Sequence, residues 1–111
     1  MSKRIKLAPH EIQAVAPGHG SCSATDKIVV GGEKVGFMYR EAPANAEDSG
    51  WRFLSGSESE DYMNDPKNHG VYDVNLIANC DRDIVPHLSA PIGSAFERAG
   101  EGFVETFADL P

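Results

Sequence analysis

Basic residues are scarce in this chain. Ten Lys and Arg stand against seventeen Asp and Glu in 111 residues, a formal charge of −7. So few cations give little footing for phosphate backbones, and nucleic acid is not an expected partner. No apolar run approaches the roughly 20 residues of a spanning helix, so no membrane crossing is expected. Met1-Ser2-Lys3-Arg4 is basic, but no apolar stretch follows it, which argues against a secretory signal. Cysteine is limited to Cys22 and Cys80, too few for a disulfide framework. Two separate thiols in a reducing cytoplasm are the expectation. Internal repeats and low-complexity linkers are also missing.

What is present suits one small domain, with 41% hydrophobic and 24% charged residues. The charge is unevenly placed. Glu41, Glu47, Asp48, Glu58, Glu60, Asp61 and Asp65 fall between positions 41 and 65 with Arg52 as the lone base, while the rest of the chain is nearly balanced. This stretch reads either as a solubilising loop or as a negative surface that attracts a basic partner.

Local patterns predict strands, then small helices, then strands, an α+β fold with a mostly antiparallel sheet. Residues 1–8 are expected to form a flexible basic arm and 9–111 a single domain. Pro9 opens a short predicted helix carrying Ile12 and Val15, stopped by Pro17-Gly18. The β-branched run from Ala24 to Val30, the Gly31-Gly32 turn and the segment Lys34–Glu41 predict a hairpin, with Val35, Phe37 and Tyr39 on its apolar face. A long loop covers 42–50, and Trp51-Arg52-Phe53-Leu54 resumes a strand. Ser57 and Glu60 have capping-box spacing for a short helix over 58–64, which Asp65-Pro66 ends. Gly70-Val71-Tyr72 predicts a brief strand. Asp73 is a suitable N-cap for a helix bearing Val74, Ile77 and Cys80, and Asp83 for a following turn. The segment 94–98 alternates around Phe96, residues 99–102 predict a turn, and Phe103, Val104 and Thr106 predict a returning strand.

Catalytic and metal signatures are weak. His10, His19, His69 and His87 are scattered, and no paired metal-ligand spacing joins His19 to Cys22. A His19–Cys22 dyad would need an orienting acid and an oxyanion donor that cannot be placed. Ser21 lies in Gly-His-Gly-Ser-Cys, which is not the nucleophile elbow. Gly31-Gly32-Glu33-Lys34 lacks phosphate-loop spacing. The carboxylates of 58–61 would be solvated on so short a helix, whereas general acid work needs a perturbed environment. No catalytic residue, metal or cofactor is therefore assigned. Trp51 reads either as a core residue covering the sheet or as a partly exposed anchor beside an acidic rim. Arg40 and Glu41 could pair with Asp48 and Arg52 to hold down the long loop.

Lys34-Val-Gly-Phe-Met-Tyr-Arg-Glu41 and Asp48-Ser-Gly-Trp-Arg-Phe-Leu-Ser-Gly56, followed by the acidic run, form a recognisable pair of segments. Gly70-Val-Tyr-Asp73, Asn75, Asn79, Asp83-Ile84, Pro86 and Gly93-Ser-Ala-Phe-Glu-Arg98 fit the same pattern. Over roughly residues 20–98 the chain resembles a bacterial family catalogued as immunity-protein family thirty-three of polymorphic toxin systems. Cys80 and Arg82 stand where that pattern has an aromatic residue and a proline. The resemblance implies a protein without catalysis that neutralises a bacterial toxin by occlusion. Its expected partner is a basic toxin domain, and the chain itself would be a monomer or weak homodimer. The charge map then nominates Glu47, Asp48, Glu58, Glu60 and Asp61 as a negative ridge, with Trp51 or Tyr62 as anchor. The alternative is a small-molecule or peptide-binding module with a pocket around Tyr39, Arg40, Trp51 and Arg52.

Overall fold

A computed structural model describes residues 5–106. Strand β1 (Ser21–Thr25) runs into a single helical turn, α1 (Asp26–Val29). Strands β2 (Phe37–Arg40) and β3 (Asp48–Leu54) follow, then α2 (Glu60–Asn64), β4 (His69–Asp73), α3 (Val74–Cys80), β5 (Ala95–Ala99) and β6 (Gly102–Thr106). Short 3-10 turns occupy Pro9–Glu11, Pro66–Asn68 and Arg82–His87. The strands form one sheet in the order β4-β1-β3-β2-β5-β6. Only β1 and β3 run parallel; every other pair is antiparallel. The fold is α+β.

Strand alternation divides the sheet into two unlike faces. One presents Cys22, Ala24, Met38, Trp51, Phe53 and Phe96 to Ile28, Val29, Val74, Ile77, Ile84 and Leu88 of the helical segments, and these make the core. The other face follows from the cross-strand register. Val71, Ser23, Arg52, Tyr39, Ala95 and Thr106 lie in one row across the sheet. The core helical segments lie on the other side, and this row is called the open face below.

The predicted hairpin does not form. Residues 26–29 wind into a helical turn that buries both Ile28 and Val29 against the core. The Asp26 carbonyl accepts the amides of Val30 and Gly31 at 2.8 and 2.9 Å, closing that turn. Gly32, at φ +77°, ends it. A left-handed glycine serves a helix C-terminus as readily as a hairpin, so Gly31-Gly32 did not distinguish the two. Strand β2 instead joins β3 and β5, and its core residue is Met38, while Phe37 and Tyr39 sit half-buried on the open face. Arg40 stays on the core side because its guanidinium has partners there. Nε donates to Ser49 O at 2.9 Å and Nη1 to Ala90 O at 2.7 Å, with the Trp51 ring beneath it.

Helix starts are shifted by one small step. Ser59, not Ser57, caps α2, accepting the Tyr62 amide at 3.1 Å. Asp81, not Asp83, caps the 3-10 turn that follows α3. Asp73 caps α3 as expected, accepting the Asn75 amide at 2.8 Å. The helix expected after Pro9 shortens to one 3-10 turn. Of the arm expected over 1–8, the first four residues lie outside the described span; Ile5 and Leu7 pack on the core, and the Lys6 amide donates to Val29 O at 2.8 Å.

Candidate functional site

Strands β2 and β3 bring the two marker segments side by side, pairing Tyr39 with Arg52 and Arg40 with Trp51. Gly50, at φ +88°, lets β3 pass close to β2, since a Cβ there would collide with the Glu41 carbonyl oxygen. Arg52 is thereby held at the middle of the open face. Its Nη1 and Nη2 donate to Asp48 at 3.0 and 2.8 Å in a two-pronged pair, and its Nε donates to Glu41 at 2.7 Å. Such forked, charge-assisted bonds fix geometry as well as energy. Asp48 is further saturated by the amides of Ala44 and Gly50, and its side chain is only 7% exposed. Arg52 and these amides hold the Asp48 carboxyl well below the usual carboxylate range, and Asp48 in turn pushes the guanidinium further up. Burial and then Glu41 raise the Tyr39 phenol.

A shallow trough runs beside Arg52. One hollow of about 230 Å³ is lined by Ser21, Ser23, Ala44, Asn45, Asp48, Arg52 and Val71. A second, of about 90 Å³, involves Ser23, Thr25, Tyr39, Arg52, Met63 and His69. Ser23 and Arg52 border both, so the two hollows adjoin at this pair. The loop before β3 closes one end. The segment carrying α2 closes the other, where Tyr62 Oη accepts the Lys27 amide at 3.2 Å and His69 Nε2 donates to Met63 O at 2.9 Å.

The nominated ridge divides into two groups. Glu47, Glu60 and Asp61 are exposed. Asp48 and Glu58 are engaged inward. Glu58 accepts from Thr25 Oγ1 at 2.6 Å and from the amides of Ser55 and Gly56 at 2.7 and 2.9 Å. Burial alone would raise its carboxyl, but these bonds together hold it below the ordinary value. Tyr62 is half-buried against β1 and α1. Trp51 takes the core reading and not the exposed-anchor one. It is fully buried, stacked on Phe53, with Nε1 donating to Leu88 O at 3.2 Å.

Alternation also splits the alternative pocket, because Tyr39 and Arg52 face one side of the sheet and Arg40 and Trp51 the other. Glu41 and Asp48 do hold the long loop through Arg52, while Arg40 binds Ser49 and Ala90 instead. Cys22 lies on the core side, and burial foremost, with Asp73 next, pushes its thiol far above the range of a nucleophile. Among the described residues, no group of three or more His, Cys, Asp and Glu side chains is placed to hold a metal ion.

Three interior anchors had no prior nomination. Buried Asp81 accepts the Val35 amide at 3.0 Å and pairs with Arg98, whose Nε donates to Val35 O at 2.7 Å. Asn75 and Asn79 bind backbone groups of residues 13–16. Each of these except Asp81 belongs to the marker pattern, so the pattern itself was the available signal. Among the described residues, no helix is long and apolar enough to cross a membrane.

The model of one protein family, described as the immunity protein Imm33 domain, matches residues 22–107. No curated protein and no solved structure matches the chain.

Proposed function

Because the chain belongs to the Imm33 immunity-protein family, we propose that it binds a cognate bacterial toxin and neutralises it by covering the surface with which the toxin acts, without turnover of its own. The family match over residues 22–107 carries this reading. The chemistry of the described residues supports occlusion over reaction. The most strongly shifted groups, Cys22, Asp48 and Arg52, are spent on burial and internal pairing.

The partner is a basic toxin domain. Exposed Glu47, Glu60 and Asp61 attract it over distances near the Debye length and speed encounter, while Asp48, Glu58, Tyr62 and Trp51 hold the surface rigid from within. Two free thiols, one buried and one half-buried, suit action in the cytoplasm of the producing cell.

The test is co-expression with the products of neighbouring genes. The expected outcome is restored growth with one of them, together with a stable complex of the two purified proteins. Failure to protect against any neighbouring toxin would count against the immunity role. Within a confirmed pair, Glu47→Lys with Glu60→Lys and Asp61→Lys should slow association and flatten its salt dependence. Unchanged association at low salt would remove these three residues from the contact.

A further inference from the structure

The two sides of the sheet are covered unequally. Helical segments bury the face containing Trp51, Phe53 and Met38, whereas the opposite face carries the trough around Ser21, Ser23 and Arg52. Val71 stands on its outer wall at 77% exposure, the largest value among the exposed large hydrophobic side chains. Tyr39 forms the wall across from it. The floor between is made of two serines and a guanidinium clamped by two carboxylates, so it is low, polar and fixed.

We infer that this trough is the docking surface, and that its occupant is a lysine- or arginine-bearing segment of the toxin; the inference rests on the immunity reading above. Charge favours that occupant. By strand register and contact, the open face carries Glu41, Asp48, Asp73 and Glu97 against Arg52. Glu41 is 40% exposed and presents its carboxylate to an incoming cation. A second copy of the chain would bring the same excess of carboxylates against itself. The residues after Thr106 include Asp109 and neither Lys nor Arg, so they do not complement the face.

Two probes test this. The first is the neighbouring-gene toxin domain that the chain neutralises, titrated against Val71→Lys and Ser23→Trp, with Ile12→Lys on the helical side as control. Val71 is exposed enough for its substitution to leave folding intact, which guards against a misfolded Ser23→Trp. Val71→Lys should weaken binding by about tenfold or more through like-charge contact, with Ile12→Lys within about twofold. The second probe is a seven-residue peptide of alternating lysine and valine, followed by amide chemical shifts. It should perturb Ser21, Ser23, Arg52 and Val71 and lose its effect as salt is raised. Full-strength toxin binding by both trough variants would place docking elsewhere while leaving the immunity role intact. If no toxin is neutralised, that role fails separately, and a peptide that leaves the trough amides unmoved overturns the trough on its own.

Discussion

Asn75 and Ala16 lie 59 residues apart in the chain, yet Asn75 Oδ1 accepts the Ala16 amide at 2.8 Å. The same oxygen accepts the Val15 amide at 2.9 Å, and Asn75 Nδ2 donates to Gln13 O at 2.9 Å. One turn later, Asn79 accepts the Gln13 amide and donates to the same Gln13 carbonyl, at 2.9 and 2.8 Å. Two side chains thus do for this segment what a neighbouring strand would do. Asn75→Ala leaves the Ala16 amide without its acceptor, while the Val15 amide keeps the Gln13 carbonyl at 2.9 Å, and should cost about 1–2 kcal/mol. Hydrogen exchange should show protection lost first at Ala16. Protection unchanged there would mean that the segment is held by other contacts.

Removing Asp81 should be the most damaging single polar change. Its buried carboxylate serves the Val35 amide, the Asp83 amide and Arg98 together. Asp81→Ala leaves the Val35 amide without its acceptor and Arg98 with only the exposed Asp83 at 3.0 Å as counter-charge, and should lower stability by about 2–4 kcal/mol. Chemical denaturation measures this, and a loss below 1 kcal/mol would contradict the assignment.

Trp51 offers an optical check. The tryptophan is single and fully buried, so its emission should be blue-shifted in the folded protein and move to the red on unfolding. Trp51→Ala should cost about 3–5 kcal/mol through the cavity it leaves. A native emission maximum typical of water-exposed indole would refute its placement.

Acid should weaken the fold in a defined direction. Asp48 and Glu58 have folded pKa values below their ordinary 3.8 and 4.5. A depressed carboxyl binds fewer protons folded than unfolded, so its contribution is complete above the unfolded pKa and declines as pH falls through the folded one. Stability should therefore be nearly flat above about pH 5 and drop below about pH 4. Arg52→Ala should reduce stability at neutral pH by about 2–3 kcal/mol and shallow the acid slope. Denaturant midpoints from neutral pH to pH 3 give the comparison.

Thiol reactivity should separate the cysteines. Burial raises both, Cys22 far more than half-buried Cys80. A disulfide reagent at neutral pH should label Cys80 slowly and Cys22 only as the protein opens. Equal rates would show that β1 is more accessible than its packing indicates.

The fold class was readable because alternation and turn chemistry survive in isolated segments such as Trp51–Leu54 and the Asp73 cap. Strand partnership was not, because it depends on contacts far apart in the chain. The stretch 24–30 reads equally as a strand or as β1 followed by a helical turn, and what decides it is the closure of the turn on the Asp26 carbonyl, which local sequence does not show. Acidic residues were legible as charge but not as roles. Nothing local to Glu58 indicates that Thr25, Ser55 and Gly56 bind its carboxylate, whereas Glu60, two positions on, is left exposed. The pairing of Arg52 with Glu41 and Asp48 was foreseeable, since all three flank one loop.

The lone parallel pair has a bearing on biosynthesis. Strand β1 leaves the ribosome before either of its neighbours exists, and β4, which pairs with β1 alone, arrives later still. Until β3 emerges, the nascent strand carries Cys22 and Ala24 without cover, followed by Ile28 and Val29. Local pairings such as β5 with β6 close over a short turn, whereas the pairing of β1 waits on distant chain. On the immunity role proposed above, the timing of that late insertion governs how soon after synthesis the chain could meet a toxin made in the same cell.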